Sequence, residues 1–559
     1  MAVASGRRHG GRSFGRIAAV GLVASLCASA SVAVATLSGA AGTAHAAASR
    51  AAAGRGVSTA RVLLVGTFHG VKGQYSTIQA AVDAARPGDY ILVAPGDYHE
   101  QADMKKLPVG WGEGGFGGVL ITTSGLTLRG MSRSGVVVDG TKPGYGECSS
   151  KPKAQNFGRT GPSGKRLGRN GIVVFKADNV TIDNLTVCNF LSGAGPSGNG
   201  IWWNGGANSE KVGEHGYWGD YLTATSTYYG GEATAATYGI FSSNTAGPGE
   251  WNQIYASNFN DSGMYVGACR QVCGMKITHA WMEYNALGYS GTNSGGTIVV
   301  EYSQFDHNKD GFDTNTQIQG DPPAPQNGDC PGTAKSPITH TRSCWVFMHN
   351  FVHDNNNPNV PESGTASLGP TGTGMTISGG RNDTVMDNVF ENNGAWGILF
   401  VPFPGGTTYE YHQSCTGTGG VVLPGFGCTY DPMGDALLHN TFKHNGYFGN
   451  PSNSDFGQIT IAGNQPSNCY RGNVYPDGSS PSNLERTQPT CGLLTKAALT
   501  DPTLLGQVLC DTGYGKCPAG ARYPKLTKVV MHRLPKLPSM PNPCAGVPAN
   551  PWCPDGRPL

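Results

Sequence analysis

The chain has 559 residues, 85 of them glycine, with 14% charged residues and a formal net charge of +2. No basic surplus marks a nucleic-acid partner, and the Ile, Val, Phe, Trp and Tyr interspersed among the glycines argue against a disordered chain. Many short strands joined by tight turns are expected instead.

Residues 1–46 read as an export signal: Arg7, Arg8, Arg12 and Arg16 precede an apolar stretch, and small residues lead to Ala44-His45-Ala46. Its removal takes four arginines and no acid, leaving 35 basic against 37 acidic residues. Residues 47–61 read as a linker. No later apolar run reaches the roughly 18 residues of a membrane span, so a secreted, soluble protein is expected, free or attached by some other means; a monomer is expected as well. Beyond Cys27, the 14 remaining cysteines fall into sequence-near neighbours, 148/188, 269/273, 330/344, 415/428, 469/491, 510/517 and 544/553. Local disulfides formed in an oxidising space are expected, and the spacings do not suit zinc.

In "YSTIQAAVDAARPGDYILVAPGDYHE" (75–100), Ser76 or Thr77 can cap a short helix whose Ile78, Ala81, Val82 and Ala85 share a face. Pro87-Gly88 ends it, and "YILVAPG" begins the first strand. Further on, "GIWWNGGANSEKVGEHGYWGDYLTATSTYYGG" (200–231) carries Trp202, Trp203, Trp218 and Tyr221. Aromatic faces stack on sugar rings, so these four are candidate substrate-binding residues, with the core of a long loop as the alternative. Trp202 and Trp203 are adjacent in an extended segment, so at most one faces a groove.

From residue 258 a phrase recurs: "NFNDSG", "WMEYNALG", "QFDHNKDG", "HNFVHDNN", "DNVFENNG" and "HNTFKHNG". Its apolar anchors are Phe259, Met282, Phe305, Val352, Phe390 and Phe442, spaced 23, 23, 47, 38 and 52 residues apart. Three residues after each anchor stands Ser262, Asn285, Asn308, Asn355, Asn393 or Asn445. A period in the twenties with short strands and no leucine-rich or helical pattern predicts a single-stranded parallel β-helix with asparagines stacked at its turns. Long insertions fall at about 192–238, 316–343, 357–374 and 401–434. The histidines at the phrase (His307, His349, His353, His439, His444) are expected to bond backbone at turns. The cap segment at 75–100 resembles the opening of right-handed parallel β-helix proteins of the pectate-lyase-like superfamily. That resemblance spans roughly residues 62–475 and implies the fold, whereas the superfamily includes lyases, hydrolases, esterases, epimerases and non-catalytic adhesins.

"HNKDGFDTNTQ" (307–317) sets Asp310 and Asp313 about Gly311, carboxylates that no neighbouring coil repeats. A positive φ at Gly311 would let the two converge, and Asp310, Asp313, Asn308 and Asn315 supply the oxygen donors that Ca2+ prefers. A hydrogen-bonded polar corner is the alternative. The stretch also resembles the calcium segment of the pectate lyases of polysaccharide lyase family nine: Asp310, Gly311, Phe312 and Asp313 match, while Lys309 stands where that family has an aspartate. If the site is a lyase, a base must take the proton beside the uronate carboxylate, and Lys309 and Arg381 are the candidates, with Lys276 in reserve. Hydrolysis would instead use two carboxylates among Glu283, Glu301, Asp306, Asp310 and Asp313. Residues 476–559, rich in Pro and Cys, read as a covering segment. The expected function is action on an acidic polysaccharide by calcium-assisted β-elimination, and the alternative is a non-catalytic glycan-binding or cell-surface β-helix.

Overall fold

The computed structural model describes residues 60–102, 116–195, 197–206, 212–267, 269, 271–292, 294–315, 328, 330, 332, 334–404, 415, 420–423, 427–461, 468–491, 500–513 and 515–559. The export signal expected over residues 1–46 and nearly all of the linker lie outside them.

The chain forms a parallel β-helix, as its repeat predicts. Each regular coil contributes one strand to an 11-stranded sheet and two to a 20-stranded sheet. Thus Leu287–Thr292, Ile298–Glu301 and Gln304–Asp306 are followed by Asp310–Asn315, Trp345–Met348 and Phe351–His353, each pairing in parallel with its copy one coil earlier. The first strand is Val62–Val65, parallel to Tyr90–Val93, so the solenoid begins one strand before "YILVAPG". Thr77 caps the helix Ile78–Ala84, its hydroxyl accepting from the Ala80 amide at 3.3 Å. That helix covers the first coil with Ile78, Ala81 and Val82, and Leu484 joins the core at the far end.

Met282, Phe305, Val352, Phe390 and Phe442 stack rung on rung in the core. In the coil before them the matching residue is Ala256, 26 residues upstream of Met282, not Phe259. Phe259 takes the asparagine's place: its amide donates to Asn285 Oδ1 at 3.0 Å. From there Asn285, Asn308, Asn355, Asn393 and Asn445 form a buried ladder, each side chain accepting from its predecessor and donating to its successor. A second ladder, Asn350, Asn388, Asn440 and Asn473, lines the corner between the two strand columns of the larger sheet. The residue before a ladder asparagine takes a left-handed backbone: Tyr284, His307, Asp354, Asn392 and His444 at one corner, His349, Asp387 and His439 at the other. The recurrent "His-Asn" and "Asp-Asn" pairs are therefore a bend residue followed by a ladder residue.

All seven neighbouring cysteine pairs form disulfides. No described helix is long and apolar enough to cross a membrane.

Beyond the cap helix Pro502–Asp511, the chain turns back as an extended strap along the larger sheet. Val530 donates to the Asn359 carbonyl, His532 exchanges hydrogen bonds with Asn258, and Met540 donates to Asn184. Arg133 binds the Pro538 carbonyl and Arg129 those of Pro543 and Ala545. Fully buried Trp552 then packs with Leu64, Phe68 and Leu92, its indole donating to the Val71 carbonyl at 3.0 Å.

Arg129, Asp183 and Asp220 occupy successive rungs beneath this strap. Arg129 pairs with Asp183 at 2.9 Å, and Asp220 accepts from Asn252 at 2.9 Å. Burial, then the charge of Asp183, pushes the Asp220 carboxyl up to about 7. Its folded pKa lies above the unfolded value of about 4, so its contribution to stability is fully present below about pH 4 and is lost as pH rises through 7. Asp220→Asn, fixed in the neutral form and keeping the acceptor for Asn252, should melt with the parent at pH 4 and a few degrees above it at pH 8, as read by calorimetry.

Candidate functional site

The 11-stranded sheet carries a column of glycines, Gly200, Gly239, Gly263, Gly288, Gly311, Gly374 and Gly397. A Cβ at Gly288 would lie 2.2 Å from the Gly311 carbonyl oxygen, and one at Gly239 would lie 2.3 Å from that of Gly263. No side chain fits where the coils approach so closely. Gly311 is thus a stacking glycine inside an uninterrupted strand, Asp310–Asn315, rather than a turn.

After each column glycine comes an inward residue such as Ile240, Met264, Tyr289 or Phe312, and then an outward one. The outward row runs Trp202, Phe241, Tyr265, Ser290, Asp313, Thr376, Leu399 along the axis. Trp202 stacks on Phe241 at 5.1 Å and 14°, and Tyr238 and Tyr265 complete the aromatic patch. The residue before the glycine lies on the same side. Tyr238 touches Phe241 at 4.6 Å, and Trp396 packs with Leu399 against Leu504 and Val508 of the terminal cap helix. Asp310 and Asp313 hold these same two places, three rungs beyond Tyr238 and Phe241 and two before Trp396 and Leu399. Both carboxylates therefore belong to the outer side, between an aromatic patch and an apolar one, and both are fully buried.

Described parts of the insertions at 192–238 and 357–374 rim this face, because they adjoin the ends of its strands. Residues 192–195, 197–199, 232–237 and 363–364 line an open pocket of about 710 Å3 floored by Trp202, Tyr238 and Phe241, with Asn199 and Asn260 among its lining. Asp261 sits beside it, its carboxylate accepting from the Tyr238 hydroxyl at 3.1 Å. Burial pushes this carboxyl up to about 7, so it can hold or release a proton near neutrality. Phe241, Tyr238, Tyr265 and Asp261 escape a sequence reading focused on one insertion. Aligning the strands on Gly-Ile-Trp, Gly-Ile-Phe and Gly-Met-Tyr would have found the first and third.

The other expected sugar-binding residues are dispersed. Trp203 is fully buried in the core, tilted against Trp251 at 5.5 Å. Trp218 and Tyr221 lie on the 20-stranded sheet, in the strand Glu214–Thr225, and do not join Trp202.

Among the expected cation ligands, Asp313 accepts from Ser378 Oγ at 2.8 Å and from Asn315 Nδ2 at 2.5 Å. Buried Asn315 Oδ1 and Thr376 Oγ1, one rung apart beside it, have no hydrogen-bond partner. Asn308 is not available: its amide accepts from Asn285 and donates to the Met282 carbonyl and Asn355. The oxygen set of Asp310, Asp313, Asn315 and Thr376 suits a hard cation, and its two orphaned oxygens are what such an ion would satisfy.

Lys309, 8% exposed, donates to Glu362 at 2.5 Å and to the Ser367 carbonyl at 2.6 Å. An ammonium engaged in this way has no lone pair to offer, so Lys309 fastens the rim and is not poised as a base. Arg381 begins the corner beyond Ser378 and bridges to Met433. Lys276, the reserve base, pairs with Glu301 at 2.8 Å on the larger sheet. Glu283, Glu301 and Asp306 are on that sheet too, so they form no carboxylate pair with Asp310 or Asp313.

No family model matches the chain, and no curated protein matches it. Solved structures that resemble it include the A-module of a mannuronan C-5 epimerase from Azotobacter vinelandii, 12% identical over 76% of this chain and 95% of that one, with a TM-score of 0.38. An alginate lyase from a Paenibacillus species is 12% identical over 75% of this chain and 97% of its own, TM-score 0.33. A pectate lyase is 14% identical over 69% and 77%, TM-score 0.30. The likeness is one of fold.

Proposed function

We propose that the outer face of the 11-stranded sheet binds an acidic polysaccharide along the solenoid axis and cleaves it by calcium-assisted β-elimination. One observation carries this reading: a single register row bears Trp202, Phe241 and Tyr265 and then, two rungs on, Asp313. At the strand spacing of parallel sheets, the last aromatic and the carboxylate are about 10 Å apart along the axis. Apolar sugar faces would lie on the aromatic patch, and Asn199, Asn260 and the Asp261 carboxyl would satisfy hydroxyls at the rim.

Asp310, Asp313, Asn315 and Thr376 would hold the ion. When bound, Ca2+ supplies positive charge that pairs with a uronate carboxylate and acidifies the neighbouring C–H. Of the two bases expected from the sequence, Arg381 stays in the proposal, because Lys309 is tied to Glu362. That ion pair also favours a second reading, a glycan-binding β-helix without catalysis.

The test is incubation with a panel of uronate polysaccharides, with calcium and then with chelator, following the ultraviolet absorbance of the unsaturated product. Calcium-dependent absorbance is expected. Trp202→Ala should weaken polysaccharide binding in affinity electrophoresis by about tenfold, a loss of about 1.4 kcal/mol. Binding that depends on Trp202 with a flat absorbance trace would select the second reading. Neither binding nor absorbance across the panel would overturn both.

A further inference from the structure

We propose a second metal site, on the outer face of the 20-stranded sheet, in which Glu283, Asp306, His307 and His353 hold a divalent transition-metal ion of the zinc or manganese type. Glu283, Asp306 and His353 stand on three consecutive rungs, and His307 follows at the bend. One donor atom each from Glu283, Asp306 and His307 lies within 4.8 Å of the others. His307 Nδ1 is 3.2 Å and His353 Nε2 3.5 Å from Asp306 Oδ2. Ligands at bonds of about 2.0–2.1 Å around a tetrahedral ion are separated by about 3.3 Å, so these pairs already have the edge length of such a shell.

The supporting hydrogen bonds give an independent reason. His353 Nδ1 donates to Asp354 Oδ2 at 2.7 Å, the carboxylate–histidine relation that orients a metal-binding imidazole. In the neutral ring this turns the Nε2 lone pair towards Asp306 Oδ2, another acceptor. The two hydrogens of the Gln304 amide nitrogen reach both atoms, at 3.2 and 3.0 Å, and hold the two acceptors side by side. A cation would take the place of these two hydrogens between the paired acceptors. The carboxylates are likewise held from outside: the Tyr255 hydroxyl donates to Glu283 at 2.6 Å and the Trp281 indole to Asp306 at 2.8 Å. Mixed imidazole and carboxylate donors favour Zn2+ or Mn2+ over Ca2+. The His307 side chain is 43% exposed, which leaves a way in. The strap passes alongside, with His532 Nε2 3.5 Å from Glu283 Oε1.

Chelator-treated full-length chain, titrated with Zn2+ and separately with Mn2+ in a calorimeter, should bind one equivalent of at least one of them, and X-ray absorption should show nitrogen and oxygen neighbours without sulfur. His307→Ala and His353→Gln should each weaken binding at least about tenfold, and Asp354→Asn by about tenfold through loss of orientation. His307 is half exposed, so its variant should melt near the parent without metal and lose the upward shift that metal gives the parent. Asp313→Asn should leave this binding unchanged, which separates it from the calcium proposal on the other sheet. No binding of either ion up to millimolar concentration, affinity unchanged in His307→Ala and His353→Gln, or binding lost in Asp313→Asn would each overturn the proposal.

Discussion

Asp313→Ala is expected to lower the calcium-dependent release of unsaturated product at least about a hundredfold, the scale on which single electrostatic groups in a shielded site act. Its carboxylate is fully buried, and both oxygens face donors on its own and the next strand, Asn315 and Ser378. Truncation therefore removes the charge and also strands two donors, and part of the loss could be structural. Asp313→Asn separates these effects, since it removes the charge, keeps an acceptor for Ser378, and lets the Asn315 amide turn over so that its unpartnered Oδ1 accepts from the new NH2 group. It should melt within a few degrees of the parent and still lose product formation. Product formation retained in Asp313→Asn would refute a cation role for this residue. Polysaccharide binding should survive in both variants, because the aromatic patch is two rungs away.

Asn388→Ala should cost about 3–5 kcal/mol in urea unfolding, the largest single effect on stability expected here. Asn388 Oδ1 accepts from the amide and side chain of Asn350 at 2.9 and 3.1 Å. Its Nδ2 donates to Asn440 Oδ1 and to the Phe347 carbonyl at 2.9 and 3.0 Å. Alanine leaves the buried Asn350 amide without its acceptor and the Phe347 carbonyl without this donor, and breaks the ladder in the middle, while Asn440 Oδ1 keeps the backbone amide of residue 388 and Asn350 Nδ2 keeps the Val300 carbonyl. A cost below 1 kcal/mol would mean that water enters the corner and that the ladder is not a principal support.

The fold was legible in the sequence where one physical need recurs in every coil. A corner asparagine answers the same pair of backbone and side-chain groups each time, so its chemistry repeats and the phrase is visible. Phe259 misled because it carries the apolar character of an anchor while standing in a ladder position. The face proposed to bind polysaccharide is written differently. Its glycine column is constant, but the outward residue that follows changes from Trp202 to Phe241, Tyr265, Ser290 and Asp313, because solvent and ligand impose no common demand on it. Only register reveals that these residues are neighbours. The fate of Lys309 was similarly hidden: its partner Glu362 arrives from 53 residues downstream, in an insertion whose path no local pattern fixes. The histidines looked like turn residues and most are, yet His353 reaches Asp306, and His307 comes beside Glu283, only once consecutive rungs are stacked.

The strap changes how the solenoid carries load. A stack of coils with free ends is a one-dimensional array that can peel from either terminus. Here Trp552 and the Cys544–Cys553 loop bring the chain end back to the strands that begin it. Tension applied between residues 60 and 559 would therefore fall on that docked cluster and bypass the coils. The body of the β-helix would stay slack until Trp552 left its pocket, and the strap behind it, held by separate hydrogen bonds at Ala545, Met540 and His532, would then release in successive steps.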